Sequence, residues 1–210
     1  SACVAAGIDF IELPIARDGI TLIAHRDNSF LNFFTFDELK SIWEPRSQDR
    51  LKNWSQVRAG FPDRPMRLFG PGAQSGTLHH FTDVVVGKPG LVRGDYAATE
   101  DDNIILYGVS TEPDALGFLA YPYAMANVDR VKVIPIKNSQ GLVVTPSAQT
   151  ISDDSYEGLS RLVYLYVSKE AAKRPEVGGF VDFLLANSGA ISADLGYVHL
   201  STDEYEAAKL

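Results

Sequence analysis

Gly70-Pro71-Gly72-Ala73-Gln74-Ser75-Gly76-Thr77 runs directly into Leu78-His79-His80-Phe81-Thr82-Asp83-Val84-Val85-Val86. The apolar run Met66-Arg67-Leu68-Phe69 before it reads as a buried strand, and after it Leu78, Phe81 and Val85 recur at helical spacing. A strand, a turn of small residues and a helix start form a unit of an α/β fold. In such a turn glycines let the backbone come close to a ligand. First-turn N–H groups have no partner within the helix, and the helix dipole favours negative charge there. Ser75 and Thr77 add hydroxyls at the same mouth, with Gly76 between them and Gln74 and Ala73 beside them as secondary contacts. The stretch predicts a socket for a small oxyanion, phosphate first among them.

Outward from this stretch, strands and helices alternate. Ser1 to Gly7 reads as the tail of a helix stopped by Gly7. Ile8 to Pro14 reads as a strand. Asp18-Gly19 then lies between two β-rich runs, either as a hairpin turn or inside one long strand. Thr35-Phe36-Asp37-Glu38 is a capping box opening a helix to Trp43, which Pro45 ends. Residues 44–65 form a loop carrying Trp54. Thr99-Glu100-Asp101-Asp102 predicts a helix start with Thr99 as N-cap, the helix running to Val109. A strand over Ala115 to Tyr121, a short helix over Tyr123 to Val128 and a strand over Val131 to Ile136 follow. A brief helix starts at Ser147, and Leu162 to Val167 is a strongly apolar strand. Glu176 to Asn187 is expected to be a helix burying Val177, Phe180, Val181, Leu184 and Leu185 and stopped by Gly189. Ser201-Thr202-Asp203-Glu204 is a last capping box. The pattern predicts α/β architecture with mostly parallel sheets flanked by helices.

The chain has 210 residues, 45% of them hydrophobic and 22% charged, within the range of globular domains. No stretch approaches the roughly 20 apolar residues of a membrane-spanning helix. The net charge of −8 argues against a nucleic-acid partner, which calls for a basic stripe. It would also repel an anion at long range, so an anion site has to work through local dipoles and one or two placed cations. Cys3 is the only cysteine, which leaves no internal disulfide and no cysteine-based metal site. The acidic run 100–102 lacks the alternating spacing and the distal Glu of a calcium loop. No metal and no cofactor is expected.

The glycines fit neither nucleotide motif. No Lys follows Gly76, as the phosphate-loop pattern requires, and the third glycine of the dinucleotide pattern would fall on Ser75. Ser75 also lies outside a G-x-S-x-G elbow, because Ala73 occupies the position two before it. His79 and His80 are adjacent on a helix and diverge by about 100°. A binding role is therefore expected rather than a catalytic one. Arg93 is the cation candidate, a planar fork able to grip two oxyanion oxygens.

Ser75-Gly76-Thr77-Leu78-His79-His80-Phe81-Thr82, Arg93-Gly94-Asp95-Tyr96, Glu100-Asp101-Asp102-Asn103, Ala115-Leu116-Gly117-Phe118 with Tyr121 and Tyr123, and Pro146-Ser147-Ala148-Gln149-Thr150-Ile151 together carry a resemblance. The sequence resembles the phosphate-binding proteins of bacterial ABC phosphate importers, solute-binding proteins of the type II periplasmic-binding fold. The resemblance spans nearly the whole chain, with Phe36 to Pro45 and Leu159 to Val167 matching as well. It implies a two-lobed clamshell that holds inorganic phosphate without catalysis, a membrane permease as partner, and a periplasmic or cell-surface location. It carries Ser75, Gly76 and Thr77 over as the phosphate contact. Some members place a contacting arginine four residues before that serine. Here Pro71 stands there, and Arg93 is expected to supply the charge instead.

The family also begins with a further β-α-β portion that nothing here matches. On this reading residues 19–121 form the complete second lobe, while 1–18 and 122–210 supply the remainder of an incomplete first lobe. The alternatives are an oxyanion-binding module acting through protein association, with a missing N-terminal segment or by self-association, and a phosphate-ester-handling enzyme.

Overall fold

The structure, a computed structural model, describes residues 6–207. The helix tail expected over Ser1 to Gly7, and Cys3 with it, falls largely outside the described residues. Two compact units are present, one formed by Gly19–Ser160 and the other by the flanking residues.

The chain enters β1 (Phe10–His25), a continuous strand of 16 residues. Of the two readings open for Asp18-Gly19, the uninterrupted strand is the one observed. Asp18 is buried and its carboxylate takes the Arg161 guanidinium at 3.0 Å. β2 (Phe34–Thr35) leads into α1 (Phe36–Trp43). The capping box expected at Thr35 is complete, with Glu38 N–H donating to Thr35 Oγ1 and Thr35 N–H to Glu38 Oε2. Arg58 forks onto both Glu38 oxygens at 2.6 Å. Burial opposes ionisation of Glu38, but the bonds from Arg58 and Thr35 outweigh it and hold the carboxyl below its usual range.

β3 (Arg67–Pro71) and α2 (Gly76–Val86) flank the turn of interest. β4 (Ala97–Thr99) precedes α3 (Asp102–Thr111). The N-cap of α3 is Asp101 rather than Thr99: the Asp101 carboxylate accepts the Asn103 N–H at 2.9 Å, while Thr99 still belongs to the strand, opposite Pro71. β5 (Ala115–Ala120) runs into α4 (Tyr121–Met125), which starts earlier than expected because Pro122 fits its first turn. Pro135 divides the next expected strand into β6 (Val131–Ile134) and β7 (Ile136–Lys137), and β8 (Val143–Val144) pairs with the latter. α5 (Ala148–Ser152) opens on a Ser147–Thr150 capping box.

β9 (Ser160–Ser168) and α6 (Lys169–Ala172) lead to α7 (Pro175–Asp194). α7 does not stop at Gly189 but passes through it. A helical glycine costs about 1 kcal/mol relative to Ala, and the buried Leu185, Ser188 and Ser192 on either side of it hold the helix to its core face. Phe180, expected on that face, is 57% exposed, whereas Val181 and Leu185 are buried. α8 (Thr202–Ala207) begins with the expected Ser201–Glu204 reciprocal pair.

In the larger unit the main sheet has the order β4-β3-β5-β1-β6. β3 is parallel to β4 and β5, β1 is antiparallel to β5 and β6, and β2 is parallel to β7 in a second, three-stranded sheet. Helices cover the main sheet. Ile105, Leu106 and Val109 of α3 pack on Ile23, Ala115 and Leu119, with Phe69 against them. Trp43, Phe81 and Phe118 bring α1, α2 and β5 together, Phe81 stacking on Phe118 with centroids 4.0 Å apart. This aromatic wedge fixes α2, and hence its N-terminus, at the carboxyl edge of β3.

In the smaller unit β1 pairs with β9. Ile11, Leu13 and Ile15 share one face with Leu165 and Val167, and α7 covers that face through Val177, Val181 and Leu185.

Candidate functional site

The turn Gly72–Ser75 joins the carboxyl end of β3 to the amino end of α2, where a parallel sheet gathers backbone donors. Ser75 is the N-cap. Its Oγ accepts from the Thr77 and Leu78 amides at 3.1 and 3.5 Å. Both lone-pair directions of the hydroxyl are thereby engaged, so its own O–H is left to donate outward. Ser75 and Thr77 are half-buried, while Gly76, Gln74 and Ala73 are exposed. The five predicted residues of the turn thus stand together around one helix start.

Three groups hold the turn in shape. Gly72 N–H donates to the Thr99 carbonyl at 2.9 Å, and Ser75 N–H to the Gly72 carbonyl at 3.1 Å. Glu100 Oε1 accepts the Gln74 N–H at 3.1 Å. His79 Nε2 donates to the Ala73 carbonyl at 3.0 Å. Glu100 lies close over Gly72: a Cβ built there would displace the end of the Glu100 side chain from the Gln74 N–H. Tyr96 donates its hydroxyl to the Pro71 carbonyl at 2.8 Å. Burial first, and then the nearby Glu100 charge, raise its pKa. Glu100, His79 and Tyr96 were not singled out as site residues from the sequence. The one signal available was Gly72, a glycine demanding a close neighbour.

Arg93 does not join them. It is 3% exposed, and its guanidinium is consumed by neighbours: Nε and Nη2 fork onto the Asp95 carboxylate at 2.6 and 2.8 Å, Nη1 donates to the Ile42 carbonyl at 2.9 Å, and Nη2 also to the Leu51 carbonyl at 3.2 Å. The strand register locates it. Ala97 lies opposite Phe69 in parallel pairing, so Asp95 and Arg93 precede the amino edge of β3, whereas Ser75 follows its carboxyl edge. Arg93 lines a cavity of about 210 Å³ with Leu51, Met66 and Arg67 there. Five strand residues, about 16 Å, separate the two edges. The expectation that Arg93 grips the anion at the Ser75 mouth is therefore replaced by a different role. Arg93 ties the loop after α1 to the approach of β4, and its bonds hold the Asp95 carboxyl down at about 2.

Among the described residues no group of three or more His, Cys, Asp and Glu is gathered as a metal site, and no helix is long and apolar enough to cross a membrane.

Known proteins agree with this architecture. The PBP superfamily domain matches residues 1–188. Protein SphX of Synechococcus elongatus is 39% identical over 207 residues, covering 99% of this chain and 61% of its own length. The phosphate-binding protein PstS of Staphylococcus haemolyticus is 31% identical over 192 residues, covering 91% of this chain and 58% of its own. The crystal structure of a possible phosphate binding protein from Planctomyces limnophilus superposes with a TM-score of 0.83 at 36% identity, over 98% of this chain and 72% of that one. The chain thus spans about three fifths of the length of the curated relatives it matches. With its β3–turn–α2 unit set in a mixed sheet flanked by helices, the chain belongs to the PBP superfamily.

Proposed function

We propose that this chain captures inorganic phosphate, without catalysis, as the extracytoplasmic binding component of an ABC-type importer whose permease is its membrane partner. The observation that carries the reading is the braced turn ahead of α2. Its backbone is already fixed by Thr99, Glu100 and His79, and Ser75 stands with a hydroxyl proton to give. An oxyanion at this mouth would receive the Ser75 and Thr77 hydroxyls and the Gly76 backbone, in the positive field of an 11-residue helix. Hydrogen bonds to a charged group contribute about 1.5–3 kcal/mol each. The PstS relative, by its name, binds phosphate, and the turn is one of the stretches that carry this sequence's resemblance to that family.

The absence of Arg93 from the mouth sharpens the reading. Affinity at this end must come from neutral donors and the dipole, a set suited to a small, multiply charged oxyanion. Calorimetry with phosphate, sulfate and molybdate tests the proposal. Phosphate is expected to bind most tightly, and sulfate binding as tightly as phosphate would refute it.

A further inference from the structure

A cavity of about 560 Å³ lies within the unit Gly19–Ser160, away from the turn at Ser75. Its floor is apolar, made by Phe36 of α1, Val84 of α2 and the backbone of Gly158. Val84 stands eight residues beyond Gly76, about 12 Å along α2, so the cavity is at the opposite end of that helix from its N-cap. The floor is open because residue 158 has no side chain. A Cβ there would lie 2.9 Å from Val84 Cγ1 and 3.7 Å from the Phe36 ring, and the φ of +74° favours glycine as well. Three charged side chains line the same cavity. Parallel pairing sets Lys137 of β7 beside Thr35, and Asp37 follows two residues later. Among the described residues neither the Lys137 ammonium nor the Asp37 carboxylate has a partner. Glu157 is anchored: its Oε2 accepts the Ser139 N–H at 2.8 Å, and the Ser139 amide, then its hydroxyl, hold the carboxyl below its usual range. The turn between Lys137 and Leu142 is rigid. The buried Asn138 takes the Gln140 and Leu142 N–H groups on its Oδ1 at 3.1 and 3.0 Å, and gives its own N–H to the Leu142 carbonyl at 2.9 Å.

We infer that this cavity is a binding site, separate from the Ser75 turn, for a small zwitterion of amino-acid type with an apolar body. The body lies on Phe36 and Val84 over Gly158, the ligand's carboxylate meets the Lys137 ammonium, and its ammonium meets Asp37 and Glu157. Charge decides the class of ligand. A simple anion would face two carboxylates and a simple amine would face Lys137, like against like in either case. A hydrocarbon would leave the unpartnered Lys137 and Asp37 unmatched. A molecule that carries both signs beside an apolar group answers all three charges and the floor together. Volume decides the size, since pockets of about 300–1,000 Å³ with an apolar lining and a few fixed polar groups take small organic ligands. Nothing in this assignment depends on phosphate binding at the Ser75 turn.

L-Phenylalanine is the probe, beside phenethylamine, which lacks the carboxylate, and hydrocinnamate, which lacks the ammonium. Each is titrated into the chain of residues 1–210 by calorimetry, and amide shifts in NMR spectra locate the contact. Phenylalanine is expected to bind at least tenfold more tightly than either fragment. It should shift the amides of residues 35–37, 84, 137–139 and 157–158 and leave those of 73–77 in place. Lys137→Gln should weaken phenylalanine at least tenfold without weakening phenethylamine. Asp37→Asn should weaken phenylalanine and phenethylamine alike and spare hydrocinnamate. Both side chains are exposed, so the fold tolerates these changes, and thermal unfolding of each variant checks it. Four results would overturn the inference: no binding of phenylalanine at millimolar concentration, equal binding of the three probes, shifts confined to other residues, or an affinity for phenylalanine indifferent to Lys137→Gln.

Discussion

Replacing Ser75 separates two roles that one hydroxyl holds. In Ser75→Ala the Thr77 and Leu78 amides lose their acceptor at 3.1 and 3.5 Å, and the second of these is long enough that one good bond is at stake. Loss of an N-cap costs about 1 kcal/mol. In a protein of this size that corresponds to a fall in Tm of about 2–4 °C. If the same hydroxyl donates to a bound anion, its removal also takes away a charge-assisted bond of about 1.5–3 kcal/mol. Phosphate affinity then falls by about ten- to a hundredfold, since 1.4 kcal/mol is a factor of ten. Ser75→Asp tests the partition. Aspartate caps at least as well as serine, so Tm should hold or rise slightly. A carboxylate set beside the anion, however, repels each unit of its charge by about 4 kcal/mol at 4 Å in a surface-like dielectric. Titration calorimetry beside thermal unfolding reads both effects. The expected pattern is reduced binding and reduced Tm in Ser75→Ala, with no measurable binding and an undiminished Tm in Ser75→Asp. An aspartate variant that binds phosphate like the parent would place the anion elsewhere and refute the reasoning.

Arg93→Ala leaves the Ile42 and Leu51 carbonyls and the Asp95 carboxylate without their donor, and should lower unfolding stability by about 3 kcal/mol. Arg93→Lys, which preserves charge without the fork, should fall between. Neither should alter phosphate affinity, and a tenfold loss in a folded variant would return Arg93 to the site. The pH dependence follows from Asp95. Its folded pKa of about 2 lies below that of an unfolded aspartate, so its contribution is present above about pH 4 and is lost as the pH falls towards 2. Denaturant midpoints measured between pH 5 and 2 should show this slope in the parent and a shallower one in Asp95→Asn. Gly72→Ala drives a methyl into the Glu100 carboxylate and should weaken anion binding. Restoration in Gly72→Ala, Glu100→Ala would identify the displaced carboxylate as the cause, whereas unchanged phosphate affinity in the single variant would show that the Glu100 bond to Gln74 does not support binding. Tyr156→Phe removes the buried hydroxyl that donates to the Ile20 carbonyl at 2.9 Å and should cost about 1–2 kcal/mol, read by chemical denaturation.

What could be read from the sequence was what neighbours in the chain decide. The capping boxes at Thr35 and Ser201 join residues three apart and formed as expected, and the brief helix expected from Ser147 opens on a Ser147–Thr150 pair of the same spacing. The helix start expected after the small-residue turn is also found, with Ser75 as its N-cap; its end at Gly87, at φ +94°, was not read from the sequence. Where two capping residues compete, local pattern fails. Thr99 and Asp101 both suit an N-cap, and the β4 pairing with β3, a partner 28 residues away, commits Thr99 to the strand. α7 passed Gly189 because its buried face continues to Ser192, and burial outweighs a single glycine's cost.

Arg93 marks the limit most clearly. Its spacing from Ser75 suggested a shared mouth, but its orientation is set by carbonyls 42 and 51 residues away, and by a parallel register that no local signal encodes. The turn itself was legible, and the side chains that brace it, Glu100 and His79, were not.

The cap formed by Ser75 has a kinetic corollary. Because Glu100, His79 and the serine hydroxyl already hold the turn, no segment would have to fold for an anion to bind there under the proposed function. The serine oxygen accepts from the helix on one side, and under the proposed function capture would need little more than a turn of its hydroxyl proton towards the anion. Entry into such a prepared site carries little ordering cost. Differences in affinity among anions, or among variants of the turn, should therefore be written almost wholly in how long the ion stays and hardly in how fast it comes.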